Sequence, residues 1–214
     1  MKVGPKLSTS VWLLTGSLAP LFLMANVTVI GIVTPNYSPI SQTVSILGIS
    51  GKPYAWALNG GYILYAVLIC IAAFSLARSN VFAAISRRGA FLLAIHAAGM
   101  VLLAVFPDSL TSMTEHVVHD AVSTLAYVPL LIGILVFRSA SKRSSVLKLA
   151  GIVGLAIVAA NVPMPVINML APVKPFSGLL QRVLAGAAFC WLGATFGILV
   201  FRRGQLQQTS DQLQ

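Results

Sequence analysis

Six runs of apolar residues divide the chain, each close to the ~20 residues that an α-helix needs to cross the hydrocarbon layer of a bilayer. They are Val11 to Val33, Trp56 to Ala77, Gly89 to Phe106, Val117 to Phe137, Leu149 to Leu170 and Leu179 to Phe201. Backbone in lipid must satisfy its own hydrogen bonds, so runs of this length predict transmembrane helices. The pattern predicts an all-α fold: one six-span helical bundle over residues 1–204, followed by a polar tail over 205–214. Lys2 and Lys6 stand before the first run, which is longer than a cleavable signal's apolar core and has no A-x-A site after it, so it reads as a signal anchor.

Proline and glycine mark the runs internally. Pro129 falls inside the fourth and predicts a kink, while Pro163 and Pro165 predict that the fifth bends or breaks near its end. Asn161 and Asn168 stand where freed backbone groups need partners. Gly193 and Gly197 form a small-x-x-x-small pair on the sixth run, with Gly186 one heptad earlier, and such stripes let helices approach closely.

Between the first two runs lies a longer connection, Thr34 to Ala55. Ser38, Ser41, Gln42 and Ser45 recur there at helical spacing, with Ile40, Val44 and Leu47 on the opposite side. Pro39 suits a first helical turn with Ser38 as its N-cap. A short amphipathic helix in this first outer loop is the expectation.

Composition turns these runs from possible core into membrane spans. Charged residues make up only 8% and hydrophobic residues 57%, whereas a soluble domain carries roughly 25% charged residues. The formal net charge of +10 would suggest nucleic acid in a soluble protein. No basic stretch is interleaved with aromatics, and nucleic-acid binding is excluded on that ground. Instead the charge sorts by side: with both termini on one face, that face holds eleven of the fourteen Lys and Arg residues and the other only Lys52, Lys174 and Arg182. The positive-inside rule then puts both termini in the cytoplasm and the protein in the cytoplasmic membrane. Cys70 and Cys190 lie inside apolar runs, where a thiol acts as a small hydrophobe and builds no disulfide framework.

Candidate chemistry gathers on the outer side. Asp108, Glu115 and Asp120 fall in one stretch with His116 and His119. Asp108 can cap the turn after Pro107, and Thr114 has N-cap chemistry for the helix that follows. On that helix Glu115 and His119 are i,i+4, as are His116 and Asp120, so His116, His119, Asp120 and Ser123 share one face. An ionisable group at the hydrocarbon edge is costly without a partner, which makes Asp120 a site candidate. His116, His119 and Asp120 offer a ligand set for zinc, although His-x-x-His lacks the spacing of the zincin helix. A His–Asp pair beside a serine can alternatively hold a polar head group or shuttle protons. No Gly-x-Ser-x-Gly elbow is present. Arg182, at the outer start of the sixth run, is expected to reach the carboxylates of Asp108 or Asp120 rather than snorkel to lipid. His96 lies mid-span and is expected to be a neutral imidazole hydrogen-bonded within the bundle.

The segments YSPISQTVSILG, FPDS, VVHDAVS and LLQR, in that order, resemble the bacterial and archaeal membrane family called domain of unknown function 998. The resemblance runs from about Trp12 to Phe201 and implies a polar signature of Ser41, Gln42, Ser45, Asp108, His119, Asp120 and Arg182. A more distant likeness is to the alkaline ceramidase superfamily, whose seven-span site sets Ser, Asp and His around zinc. This chain has six runs and lacks that family's paired His-x-x-x-His in the last.

These readings converge on a protein that binds or transports a membrane lipid or small amphiphile at an outward-facing polar site built from Ser41, Gln42, Ser45, Asp108, His116, His119, Asp120 and Arg182. Two other classes stay open: a metal-dependent intramembrane hydrolase or transferase, and a structural or regulatory partner of another membrane protein or of a second copy of itself.

Overall fold

A computed structural model describes residues 6–79, 83–140, 145–163 and 171–212. The described residues fold into six α-helices: α1 Lys6–Val33, α2 Ala55–Ala77, α3 Ala83–Val105, α4 Met113–Ala140, α5 Ser145–Asn161 and α6 Ser177–Gln212. Each helix packs against its neighbour in sequence, and α6 closes the ring against α1. Five helices are long and apolar enough to cross a membrane; α5, with 17 residues, is the shorter apolar helix. At ~1.5 Å per residue it spans about 25 Å. It starts four residues before the apolar run and stops two before Pro163, whose ring cannot continue the hydrogen-bond ladder. Pro165 and Asn168 lie outside the described residues. By contrast, α4 runs on through Pro129, and α6 continues past Arg203 to Gln212, so most of the expected polar tail is helical.

Large apolar side chains cover the outside of the ring, among them Ile32, Phe91, Leu149 and Phe201, each more than 60% exposed. A water-soluble bundle would bury this surface; in lipid it meets its own solvent. Hydrophobic driving force between helices is weak there, and the ring is joined by small residues and interhelical hydrogen bonds instead. The glycine stripe of α6 faces α1: Gly186 lies against Met24, and Gly193 and Gly197 against Ser17, whose hydroxyl donates to the Gly193 carbonyl (3.0 Å). In return Phe196 of α6 fills the hollow over Gly16. Trp191 Nε1–H donates to the Ala150 carbonyl on α5 (2.7 Å), and Tyr127 donates to Asn161 Oδ1 (3.0 Å). Asn161 also returns a bond to the Ile157 carbonyl (2.8 Å), which satisfies an acceptor in the last turn of α5.

His96 is fully buried between α2 and α4. Its Nδ1 lies 2.5 Å from the Ala126 carbonyl, which can only accept, so that nitrogen carries the proton. Nε2 then accepts from the Tyr65 hydroxyl (2.7 Å). A neutral, fully engaged imidazole is what burial in an apolar ring requires.

An apolar cavity of about 60 Å³ lies among α2, α3, α4, α5 and α6, lined by residues that include Leu93, Leu130, Phe137, Trp191 and Thr195. Thr195 Oγ1 is buried there without a hydrogen-bond partner among the described residues. An unpaired buried hydroxyl costs ~1–3 kcal/mol. Thr195→Val is therefore expected to leave the thermal unfolding midpoint in detergent unchanged or to raise it by a few degrees. A fall of more than ~4 °C, about 1 kcal/mol or more, would show that the hydroxyl is paired.

Candidate functional site

Three segments meet at one end of the ring: the α1–α2 loop, the α3–α4 turn and the start of α6. In the first, the expected amphipathic helix is reduced to a turn and a short 3₁₀ helix. Gln42 N–H bonds the Ser38 carbonyl (2.9 Å), the Ser38 hydroxyl faces the Ser41 amide (3.4 Å), and only Val44–Gly48 winds further, as 3₁₀ helix. Ser38 thus meets the amide that an N-cap would, but the turn does not propagate. Leu47 is buried against Ile30 and Leu58, which anchors the segment to the ring rather than to the interface.

The reason lies in α6, whose first turn clasps the loop. Leu179 N–H donates to the Ile40 carbonyl (2.9 Å), Ser177 Oγ to the Ser41 carbonyl (2.9 Å), and Val44 N–H to Gln181 Oε1 (2.7 Å). Arg182 completes the clasp. Its Nη1 donates to the carbonyls of Pro39, Gln42 and Gly178, each at 3.0 Å, and its Nη2 to the Tyr37 hydroxyl. The guanidinium also lies 5.3 Å from the Tyr37 ring centre, within cation–π range. Burial raises the Tyr37 phenol above its ordinary pKa against the opposing pull of Arg182, so it stays a donor to the Gln42 and Thr43 carbonyls. Arg182 therefore does not join the carboxylates as expected. Backbone carbonyls brought together by the turn supply its negative partners, and Gly178 permits their approach: a Cβ there would sit 2.7 Å from the Pro39 oxygen and nearer still to that of Gln42.

On the α3–α4 turn, Asp108 is largely buried and accepts from Ser109 N–H (2.8 Å) and from His116 Nδ1 (2.7 Å). His116 Nε2 lies 3.6 Å from Asp120 Oδ2, and Asp120 is 67% exposed. One imidazole is thus bracketed by two carboxylates, half open to the surface. The N-cap of α4 is Ser112 and not Thr114: its hydroxyl accepts from Glu115 N–H (3.3 Å). The spacing Ser112-x-x-Glu115 is a capping-box signal that the sequence does carry.

His119 turns away from His116 and is buried. Its Nδ1 donates to the Phe106 carbonyl (2.9 Å), and its Nε2 faces Ser45 Oγ (2.9 Å). Both ring nitrogens are engaged, so the zinc set of His116, His119 and Asp120 is not assembled. Among the described residues no three His, Cys, Asp or Glu side chains group as metal ligands. Residues three apart on a helix point about 60° apart, and here the two histidines find partners in different segments. Of the expected site residues, the structure joins Ser45 to His119, joins Asp108, His116 and Asp120, and joins Gln42 to Arg182 through the Gln42 carbonyl. Gln42 Oε1 accepts from Ser38 N–H (2.8 Å), and Ser41 contributes its carbonyl rather than its hydroxyl. Tyr37, Ser177 and Gln181 belong to the same assembly.

A ring of apolar helices closed at one end by interlocked polar segments defines a multi-pass membrane protein. A family model described as "Protein of unknown function (DUF998)" matches residues 17–197, and the chain belongs to that family, the one its outer motifs resemble. No curated protein and no solved structure matches the chain.

Proposed function

We propose that the protein crosses the cytoplasmic membrane six times, with both termini inside, and binds a membrane lipid or small amphiphile at its outer end. The eleven-to-three division of basic residues supports the orientation. In this reading α5 is the fifth of the six crossings.

The observation that carries the binding reading is the border between polar and apolar surface at the start of α4. His116 and Asp120 lie one turn apart, beside exposed Met113 and Val117, which also lie one turn apart. Leu110, 69% exposed, extends the apolar side along the turn. A ligand with a polar head and an apolar body matches that border. Two carboxylates around one imidazole favour a head group that donates hydrogen bonds, such as an ammonium or a hydroxyl.

Native mass spectrometry of the protein purified in mild detergent tests this. Wild-type protein is expected to retain lipid adducts, and Asp108→Asn combined with Asp120→Asn to reduce their occupancy by about tenfold or more, in line with ~1.5–3 kcal/mol per lost charge-assisted bond. Equal adduct occupancy in both proteins, or none in either, would sink the reading.

A further inference from the structure

We infer that Ser45 and His119 form a nucleophile–base pair that cleaves an acyl ester presented at the outer end of the bundle. This rests on the proposed amphiphile site for its substrate class and adds a reaction to it.

The tautomer follows from the partners. A backbone carbonyl accepts only, so the bond to Phe106 places the proton on Nδ1. In the neutral ring Nε2 then carries a lone pair, and Ser45 Oγ–H is the donor across 2.9 Å. A hydroxyl donating to an imidazole whose other nitrogen is fixed is the nucleophile–base–orienter arrangement of acyl-transfer sites, with a carbonyl in the orienting place. Chain order and fold play no part in that chemistry; geometry does.

The clasp positions the pair. Ser45 is the second residue of the 3₁₀ helix, whose first amide is held by Gln181 and whose preceding turn is held by Arg182. His119 is 5% exposed and therefore shielded, while Ser45 keeps partial exposure through which a carbonyl can reach Oγ. Substrate placement also follows: His116 lies one turn before His119, and Asp108 two residues after Phe106, so the head-group cluster borders the pair.

The step balances without a cofactor. As Ser45 Oγ bonds the acyl carbon, its proton passes to His119 Nε2, and the Phe106 carbonyl supports the charged ring through Nδ1–H. The tetrahedral centre collapses by breaking the bond to the ester oxygen, and the departing alcohol takes the proton from Nε2. Water then attacks the acyl-serine and gives a proton to Nε2. The carboxylic acid leaves as Ser45 Oγ recovers that proton.

Wild-type protein in detergent, treated with a fluorophosphonate probe and digested for peptide mapping, is expected to carry the phosphonyl group on Ser45. Labelling should disappear in Ser45→Ala and slow by about 10²-fold or more in His119→Gln, the scale of general-base assistance. The wild-type rate should also follow the titration of a single base, which a merely structural serine would not show. A folded wild type that stays unlabelled at Ser45, or His119→Gln labelling at the wild-type rate, overturns the inference. The wild-type mapping needs no variant to fold. Lipid adducts on a protein unlabelled at Ser45 would refute the reaction and leave the binding reading standing; labelling without adducts would do the reverse.

Discussion

Replacing Arg182 with methionine is expected to lower the unfolding midpoint in detergent by about 5–15 °C and to free the α1–α2 loop from the bundle. The guanidinium donates to three carbonyls and one phenol, drawn from the loop and from its own helix. Bonds to a charged donor contribute ~1.5–3 kcal/mol each, but carbonyls near the membrane surface regain water when released, so the net loss is about 2–4 kcal/mol. For a chain of this size that corresponds to the stated shift, at roughly 2–4 °C per kcal/mol. Arg182→Lys should fall between, because an ammonium keeps the charge and loses the planar fork that reaches separated acceptors. A cysteine placed at Ser41 should become markedly more reactive toward a water-soluble maleimide in the Arg182→Met background. An unfolding midpoint within about 2 °C of wild type, less than ~1 kcal/mol by the same conversion, would show that the clasp is not held by Arg182.

The architecture was legible because the membrane enforces it along the chain. Five of the six apolar runs become helices whose ends lie within a few residues of the run or extend beyond it. The exception teaches the same rule from the other side. The fifth run reads as apolar to Leu170, yet α5 stops at Asn161: hydropathy alone does not see the missing amide of Pro163, whereas the proline itself predicts the break. The glycine stripe of α6 was legible as a packing face, but not that α1 is its partner, because ring order is not written in any one helix.

The site was legible as a list of residues and not as a set of bonds. Asp108, His116 and Asp120 come together because two of them are one helical turn apart and the third lies in the adjoining turn. Periodicity sees the first relation and proximity in sequence the second. Ser45 with His119 and Arg182 with the Pro39 and Gln42 carbonyls join segments far apart in sequence. Reading Arg182 as a carboxylate partner counted side-chain charges only, whereas a turn that points several carbonyls one way is an anion-like partner that composition cannot show. Tyr65 with His96 was more accessible: two polar side chains at mid-span are costly apart, so each is a reason to seek the other.

Gly99→Ala is expected to destabilise the protein by about 3 kcal/mol and to prevent a monodisperse folded preparation in Gly99→Leu. A Cβ at Gly99 would lie 2.6 Å from the Ala126 amide nitrogen and 2.8 Å from its Cβ, and closer still to its Cα. These are backbone and first side-chain atoms, so no rotamer change relieves the overlap, and α3 and α4 must separate. Helix propensity acts in the opposite direction, since alanine gains ~1 kcal/mol over glycine inside a helix. Overpacking costs typically ~1–3 kcal/mol, and here it carries a second loss. His96 lies one turn before Gly99 and bonds the carbonyl of the same Ala126, so spreading the helices stretches that bond and strands a buried imidazole. The two losses together outweigh the propensity gain. Gly60→Ala is the control: among the described residues nothing lies within 4 Å of its added Cβ, and it should be neutral or stabilising by up to about 1 kcal/mol. If Gly99→Ala unfolds at the same temperature as Gly60→Ala, the close crossing of α3 and α4 at Ala126 is wrong.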